Sequence, residues 1–489
     1  MNYLDLFNLA SPEAVVAVTA LVVLAIGLAR GRGPGICAPV AAAGLLFAAA
    51  TVLMLPEQAT LSHEMLVVSP LTTLAKVICL GLAFFTVILA RGTNTPHHGE
   101  YLALLLLATI GLMLLVGSEE LLMIFIGLEL TGLSLYVMAG FDKTDPRSAE
   151  AGLKYFLFGS TASAFTLFGL SLVYGMCGTT GLSAIGQKLA HEPVLPLLAA
   201  GIVMTLIGFA FKIAAAPFHL WAPDTYQGAP VPSAAFIASG SKVASFVVLG
   251  KILLVGFGPV HGSAAWHAMT AGWAPVLAAL AALSIVIGNL VALAQSNVRR
   301  LLAYSAVAHA GYTLLGLVAG GREGFAATLF YTTVYAVTLV GAFGVVALVR
   351  RDTGGDDFAH FSALWSRSPL LAGCMAIFML SLAGLPPLAG FFGKFYLFSV
   401  AMRAGGNQGL LWLVALALLG SFISLYYYLA VLKAIFVVEP EPGTRNPESL
   451  RSITMDFPQK FSVAALAGVI LFVGLWPATL LVRITLALP

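Results

Sequence analysis

Charge is what this sequence has least of. Of its 489 residues only 9% are Asp, Glu, Lys or Arg, whereas 60% are hydrophobic. A chain of this size with so few charges cannot cover itself with polar surface, which excludes a water-soluble domain and a nucleic-acid partner. The formal net charge of +3 is small and resides in loops. Cysteine is nearly as scarce: Cys37, Cys79, Cys177 and Cys374 sit in separate apolar segments, with no CxxC pair and no Cys/His cluster. That pattern argues against a disulfide framework, a zinc site and an iron–sulfur centre. The first apolar run also lacks a basic segment before it, so no cleavable signal is expected.

What is abundant is long apolar runs. Runs of roughly 20 apolar residues cross a bilayer as helices. They are expected near 13–30, 35–55, 70–90, 100–117, 120–141, 150–175, 194–221, 232–256, 273–294, 300–319, 325–349, 369–402, 410–437 and 461–486. The fold class is therefore all-α, a polytopic membrane protein with about fourteen transmembrane helices. The longest polar pieces, Arg350–Ser368 and Glu439–Gln459, read as loops. Lys and Arg crowd the loops after odd-numbered spans (Arg30, Arg32, Arg91, Lys143, Arg147, Arg299, Arg300, Arg350, Arg351, Arg367, Arg445, Arg451). Even-numbered loops and the C-terminal end hold only Lys188, Arg322, Arg403 and Arg483. The positive-inside rule then places the odd loops in the cytoplasm and both termini on the outer, periplasmic side.

Two spans read as broken. One has Pro217 after Lys212; the other has Pro386–Pro387 before Lys394. A proline frees backbone groups that lipid cannot satisfy, so such breaks belong where protein or water can. Lys394 follows Lys212 by 182 positions and His309 follows Glu129 by 180. The near-constant offset points to two five-helix units, the second inverted because five is odd. The expected organisation is a three-helix segment at 1–98, a first repeat at 99–260, an inverted second repeat at 261–438, and a loop with a C-terminal helix at 439–489.

Ionisable groups at bilayer depth cost a few kcal/mol and are functional by default. Glu129 is mid-span and too short to reach either surface, so it reads as a proton-binding carboxylate, or else as half of a structural ion pair. Lys212, equally deep, reads as its switchable partner, or as a lysine locked by a helix-end carbonyl. Lys242, flanked by Ser241 and Ser245, reads as a central relay, and Lys394 as an exit or terminal donor. His309 can bridge them because imidazole titrates near neutrality, or it is a neutral hydrogen-bonded histidine. Lys154, near its helix start, is a relay or an interface anchor. His219 and Asp224 flank the turn after the first break, where they cap or gate it. Lys76, Lys251 and Lys433, nearer helix ends, are expected to snorkel. The tryptophans and most tyrosines are expected to be packing or interface residues.

These residues carry a likeness. FKIAAAPFHLWAPDTYQGAPVPSAAFIASGSK (Phe211–Lys242), RRLLAYSAVAHAGY (Arg299–Tyr312) and LPPLAGFFGKF (Leu385–Phe395) resemble the antiporter-like proton-translocating subunits of respiratory complex I and of multisubunit cation/proton antiporters. Lys394, where the middle-sized complex I member has glutamate, makes the N-type branch of bacterial NADH–quinone oxidoreductase the better match. The resemblance implies Glu129 and Lys212 as a coupled pair, Lys242 as relay, Lys394 as the distal site, and Lys154 and His309 in a hydrated axis. It implies no cofactor in this subunit, with FMN and iron–sulfur clusters on partner subunits. The implied partners are other membrane-arm subunits, including a second antiporter-like subunit and small helical ones, in a bacterial inner membrane. Two other readings share the residues: a sodium/proton antiporter subunit without redox coupling, and a scaffold whose buried charges only set helix register.

Overall fold

The computed structural model describes residues 7–30, 34–61, 63–91, 97–404, 408–438, 453 and 455–488. Arg32, Arg445 and Arg451, three of the charges used for orientation, lie outside them. The helices are α1 (Ser11–Arg30), α2 (Pro34–Met54), α3 (Pro70–Ala90), α4 (His98–Val116), α5 (Leu121–Ala139), α6 (Pro146–Cys177), α7 (Leu182–His191), α8 (Pro196–Lys212), α9 (Trp221–Gly228) and α10 (Val231–Ala238). They continue with α11 (Gly240–Lys251), α12 (Trp273–Leu293), α13 (Val298–Ala319), α14 (Gly321–Thr353), α15 (Pro369–Ala383), α16 (Ala389–Arg403), α17 (Leu411–Phe436), α18 (Phe457–Leu475) and α19 (Ala478–Ala487). Short 3-10 and helical turns over Phe358–Phe361 and Leu364–Arg367 interrupt the expected loop after Arg350.

Among the described residues twelve helices are long and apolar enough to cross a membrane. The chain is a multi-pass membrane protein. Both spans expected to be broken fall outside that dozen, because α8 has 17 residues and α15 and α16 have 15 each. A run expected to be continuous, 461–486, is also split: α18 ends at Leu475 and α19 begins at Ala478, after Pro477. Proline cannot accept the preceding turn as ordinary helix, which accounts for the split. The span expected at 232–256 bends at Ser239 between α10 and α11, then finishes as a π-helix over Ile252–Gly256. A two-stranded antiparallel hairpin, Ala59–Leu61 with Leu66–Val68, sits before α3 and was not expected.

Local signals explain the ends. Ser69 and Thr72 form a capping box ahead of Pro70. Asp145 caps α6 with Pro146 at its first turn, and Asn297 caps α13 through two backbone amides. Gly178, at φ +68°, ends α6 in the left-handed region that glycine adopts without strain.

The long helices differ in how they are covered. In α13 and in the α10–α11 span 94% of the best apolar window is buried, and in α14 83%; in α1, α2 and α6 the share is 33%. The first three form the interior of the bundle, and the others present apolar faces outward. Helices α12 and α13, α4 and α5, α6 and α8, and α1 and α4 pack as neighbours. The four cysteines are buried and free.

Candidate functional site

Each break is bridged by polar side chains. At the first, the Ala216 amide donates to Ser284 Oγ on α12 at 2.8 Å, and Trp221 Nε1 donates to the Phe211 carbonyl at 3.2 Å. At the second, the Gly390 amide donates to Ser381 Oγ at 3.2 Å. Freed backbone groups inside a bundle are tolerated because partners of this kind exist. The two lysines flank their breaks from opposite sides: Lys212 ends α8 before the first, whereas Lys394 lies within α16 after the second.

Glu129 on α5 is half-buried and its Oε1 accepts a hydrogen bond from Ser163 Oγ on α6 at 2.5 Å. Lys212 is buried and its ammonium stands 5.5 Å from the centre of the Tyr136 ring, also on α5. Among the described residues Lys212 makes no hydrogen bond or ion pair, so it is not paired with Glu129 here. Its neighbours place it close, however. A methyl group on Gly132 would lie 2.9 Å from Lys212 Nζ. Gly132 is three positions after Glu129, about one helical turn or 4.5 Å along α5. Glu129 and the point of α5 nearest the Lys212 ammonium thus lie about one turn apart along the helix, with Ser163 holding the carboxylate and the Tyr136 face attending the ammonium.

Lys242 and Lys394 are held differently. The Lys242 ammonium donates to the Ala306 carbonyl on α13 at 2.8 Å and lies 5.5 Å from the Tyr335 ring centre. Lys394 donates to the Ala383 carbonyl, the last of α15, and to Ser421 Oγ on α17, both at 2.9 Å, and lies 5.2 Å from the Tyr312 ring centre. Helix C-terminal carbonyls attract cations, and here the break supplies one inside the bundle. The helix-end lock considered for Lys212 is therefore found at Lys394.

Between these lysines lies His309, buried on α13. Tyr331 Oη on α14 bonds its Nδ1 at 2.6 Å, and Tyr428 Oη on α17 bonds its Nε2 at 2.9 Å. Tyr428 Oη also meets Ser305 Oγ at 2.5 Å. Asn289 on α12 joins Tyr312 at 2.8 Å and Tyr427 at 3.0 Å. Five of the fourteen tyrosines do more than pack. Tyr312, Tyr331, Tyr335, Tyr427 and Tyr428 form a buried hydroxyl and ring lining around His309, reaching the rings beside Lys242 and Lys394. Tyr312 and Tyr428 are 116 positions apart on different helices, so no periodicity links them and only three-dimensional contact brings them together.

Lys154 is brought elsewhere. It is 38% exposed and pairs with Glu150 and Asp224, both at 2.6 Å, while Asp224 also pairs with Arg300 at 2.8 Å. This cluster edges a cavity of about 200 Å³ at the end of the bundle that carries the basic loops. Burial pushes the Asp224 carboxyl up, but hydrogen bonds from Lys154 and Arg300 outweigh it and hold the group below its usual value. His219 is buried after the first break, its ring centre 6.3 Å from that of Tyr304 in an edge-on arrangement and its Nδ1 without a hydrogen-bond partner among the described residues.

Two of the lysines expected to snorkel do not. Lys76 is buried and pairs with Glu13 at 2.7 Å; Lys251 is buried and pairs with Glu119 at 3.2 Å. Both found anions within the protein, which removes the need to reach an interface. Lys433 is exposed, in accord with snorkelling. Near the basic loops Asp356 pairs with the buried Arg299 and, at 3.1 Å, with Arg350, tying the segment after α14 to the start of α13.

The arrangement is a discontinuous row of ionisable and hydroxyl groups, buried except for the half-buried Glu129, running from α5 and α8 through α11, α13 and α14 to α16, and a row of that kind can carry protons. Among the described residues no cluster of His, Cys, Asp and Glu could hold a metal. Residues 118–424, which include all seven candidate residues, match the family model described as NADH:quinone oxidoreductase/Mrp antiporter, TM. The NADH-quinone oxidoreductase subunit N 2 of Acidobacterium capsulatum is 44% identical, covering 98% of this chain and 99% of that protein. The structure of respiratory complex I from Thermus thermophilus with bound aureothin contains a chain 33% identical, with TM-score 0.79, covering 96% of this chain and 98% of that one. A chain of the Mrp complex from a Dietzia species has TM-score 0.85 at 22% identity over 98% of this chain and 97% of that one, which shows the shared fold alone.

Proposed function

The chain belongs to the NADH:quinone oxidoreductase/Mrp antiporter transmembrane family, and on that premise we propose that it is the N-type proton-translocating membrane-arm subunit of an NADH–quinone oxidoreductase. The observation that carries this reading is the row from the half-buried Glu129 through the buried Lys212, Lys242 and His309 to the buried Lys394. Its similarity over nearly the whole length to a subunit N favours it over the sodium/proton antiporter alternative.

The subunit itself carries out no redox chemistry; quinone reduction elsewhere in the assembly shifts a charge at one end of the row. In low dielectric a neighbouring charge acts strongly, so its arrival changes which site prefers a proton. Glu129 leaves Ser163 and meets the Lys212 ammonium, one turn away. That contact passes a proton demand to Lys242, then across the Tyr335–His309–Tyr428 group to Lys394. Lys154 with Asp224 gathers protons at the basic end, and His219 gates the turn behind it. The partner subunits hold FMN and the iron–sulfur clusters. A second antiporter-like subunit and small helical subunits flank this one in the bacterial inner membrane, with both termini on the periplasmic side. Helices from 99–260 and 261–438 act as the two inverted halves, with 1–98 and 439–489 outside them; the twelve long apolar helices together with the two broken spans then make the fourteen crossings.

Glu129→Ala and Lys212→Ala in the assembled complex, reconstituted in vesicles, test this. Each is expected to lower proton translocation per NADH oxidised while the complex still assembles. Full translocation in both variants refutes the assignment.

A further inference from the structure

At the end of the bundle away from the basic loops lies a cavity of about 680 Å³ whose lining includes Glu64, Leu71, Glu119, Ser183, Lys251 and Arg322. Helix direction fixes that end. Leu71 opens α3, which runs to Arg91, and Arg322 opens α14, which runs to Arg350 and Arg351.

Lys251 ends α11, nine residues beyond Lys242 on the same helix. Its ammonium donates to the Val116 carbonyl at 3.0 Å and the Ser118 carbonyl at 3.4 Å. Val116 closes α4, so these carbonyls include one that its own helix leaves without a donor. The Glu119 carboxylate sits 3.2 Å from the ammonium, and the exposure of the two side chains is unequal: 2% for Lys251 and 25% for Glu119. The pair therefore bridges dry protein and the cavity. Immediately after Lys251 the backbone widens into the π-helix, with the Phe257 amide donating to the Ile252 carbonyl at 2.8 Å, and such turns recur at functional positions.

The surroundings alternate in charge. Lys76, paired with Glu13, is near enough to Lys251 to repel its positive charge. On the cavity side, Glu64 has an oxygen without a hydrogen-bond partner, and burial together with the neighbouring Glu119 raises its carboxyl above the usual range. The charged groups around Lys251 are thus Glu119 from the segment leading into α5, Lys76 from α3 with Glu13 of α1 behind it, and, across the cavity, Glu64 from the hairpin turn and Arg322 from the start of α14.

We propose that Lys251 and Glu119 form a proton-exchange site between the membrane interior and the aqueous phase at this end, with the cavity as its vestibule. The proposal rests on the proton-translocating reading above. In the step, an N–H bond of the Lys251 ammonium breaks and an O–H bond forms on Glu119, leaving a neutral amine and a neutral acid. The acid gives that proton to water in the cavity, and the amine is reloaded from the interior. No co-reactant is consumed. Lys76 favours release by like-charge repulsion, and Glu13 prevents Lys76 from becoming an unpaired buried cation.

The test has two arms on the assembled complex. Ser183→Cys, at the cavity wall, is treated with a membrane-impermeant maleimide in right-side-out and in inside-out vesicles, with the unsubstituted protein as background. Labelling only from the periplasmic face is expected; labelling only from the cytoplasmic face, or from neither, overturns the vestibule. Lys251→Met and Glu119→Gln are then measured for proton translocation per NADH oxidised, alongside the outer-pH dependence of translocation. A loss of at least twofold with quinone reduction retained, and partial rescue in Lys251→Arg, is expected. Unchanged translocation in Glu119→Gln, which keeps the side-chain shape if Lys251→Met fails to assemble, overturns the exchange site. These outcomes are separable from those at Glu129 and Lys212, since accessibility of Ser183→Cys does not depend on turnover.

Discussion

Tyr428→Phe removes one oxygen from the centre of the row and nothing else. That oxygen serves two partners, His309 Nε2 at 2.9 Å and Ser305 Oγ at 2.5 Å. The ring keeps its place against Tyr427, 4.6 Å between centres, so packing is preserved. A buried polar group deprived of its partner costs about 1–3 kcal/mol. If the bond is made as a proton passes through the imidazole, that loss appears in the barrier, and about 1.4 kcal/mol is tenfold in rate. The expected slowing of proton transfer is therefore roughly 5- to 150-fold. The assay is proton uptake or release in vesicles during NADH-driven quinone reduction, with assembly checked by co-purification. His309→Gln and the double variant complete a cycle, in which the two losses are expected to be clearly less than additive because they interrupt one bond. Normal translocation in Tyr428→Phe, or strictly additive losses, refutes a path through this hydroxyl.

Other perturbations follow from the same geometry. Ser163→Ala takes the donor from Glu129 and is expected to let the carboxylate turn toward Lys212; infrared difference spectra of the carboxylate should shift, and an unchanged band contradicts the holding role. Lys394→Met removes two hydrogen bonds of an ammonium, each worth about 1.5–3 kcal/mol, and leaves the α15 end uncapped. Lower thermal stability in detergent and lost translocation are expected, and a Lys394→Glu variant should do worse, because a carboxylate repels the Ala383 carbonyl that the ammonium now caps. Asp224, held below the usual carboxyl value by Lys154 and Arg300 despite its burial, stabilises the fold above about pH 4 and loses that contribution as pH falls through its lowered value. The difference in melting temperature between wild type and Asp224→Asn should therefore shrink on acidification; a difference that stays constant speaks against the linkage.

Much of the architecture was legible in the chain, because a bilayer asks so little of sequence: about 20 apolar residues per crossing, with positive loops on one side. Prolines near Lys212 and Lys394 announced both broken helices for the same reason. The deep charges were legible singly. Their partners were not. Ser163, Gly132, Ser421 and Asn289 are small or neutral residues with no hydropathy signature. Lys76 and Lys251 looked like snorkelling side chains because distance from a helix end was the only available measure, and their partners lie elsewhere, Glu13 on α1 and Glu119 in the segment leading into α5.

The sequence by itself determined that this is a multi-pass helical protein with ionisable groups stranded in apolar spans, since the cost of an exposed backbone or charge in lipid is local and additive along the chain. Only the tertiary structure decided which of those groups meet. It turned five unremarkable tyrosines into the lining around His309, put Lys394 on a helix-end carbonyl, and moved Lys154 out to the rim. Hydrogen bonds and ion pairs act over about 3 Å, and which residues come that close depends on helix packing, which no periodicity within one helix records.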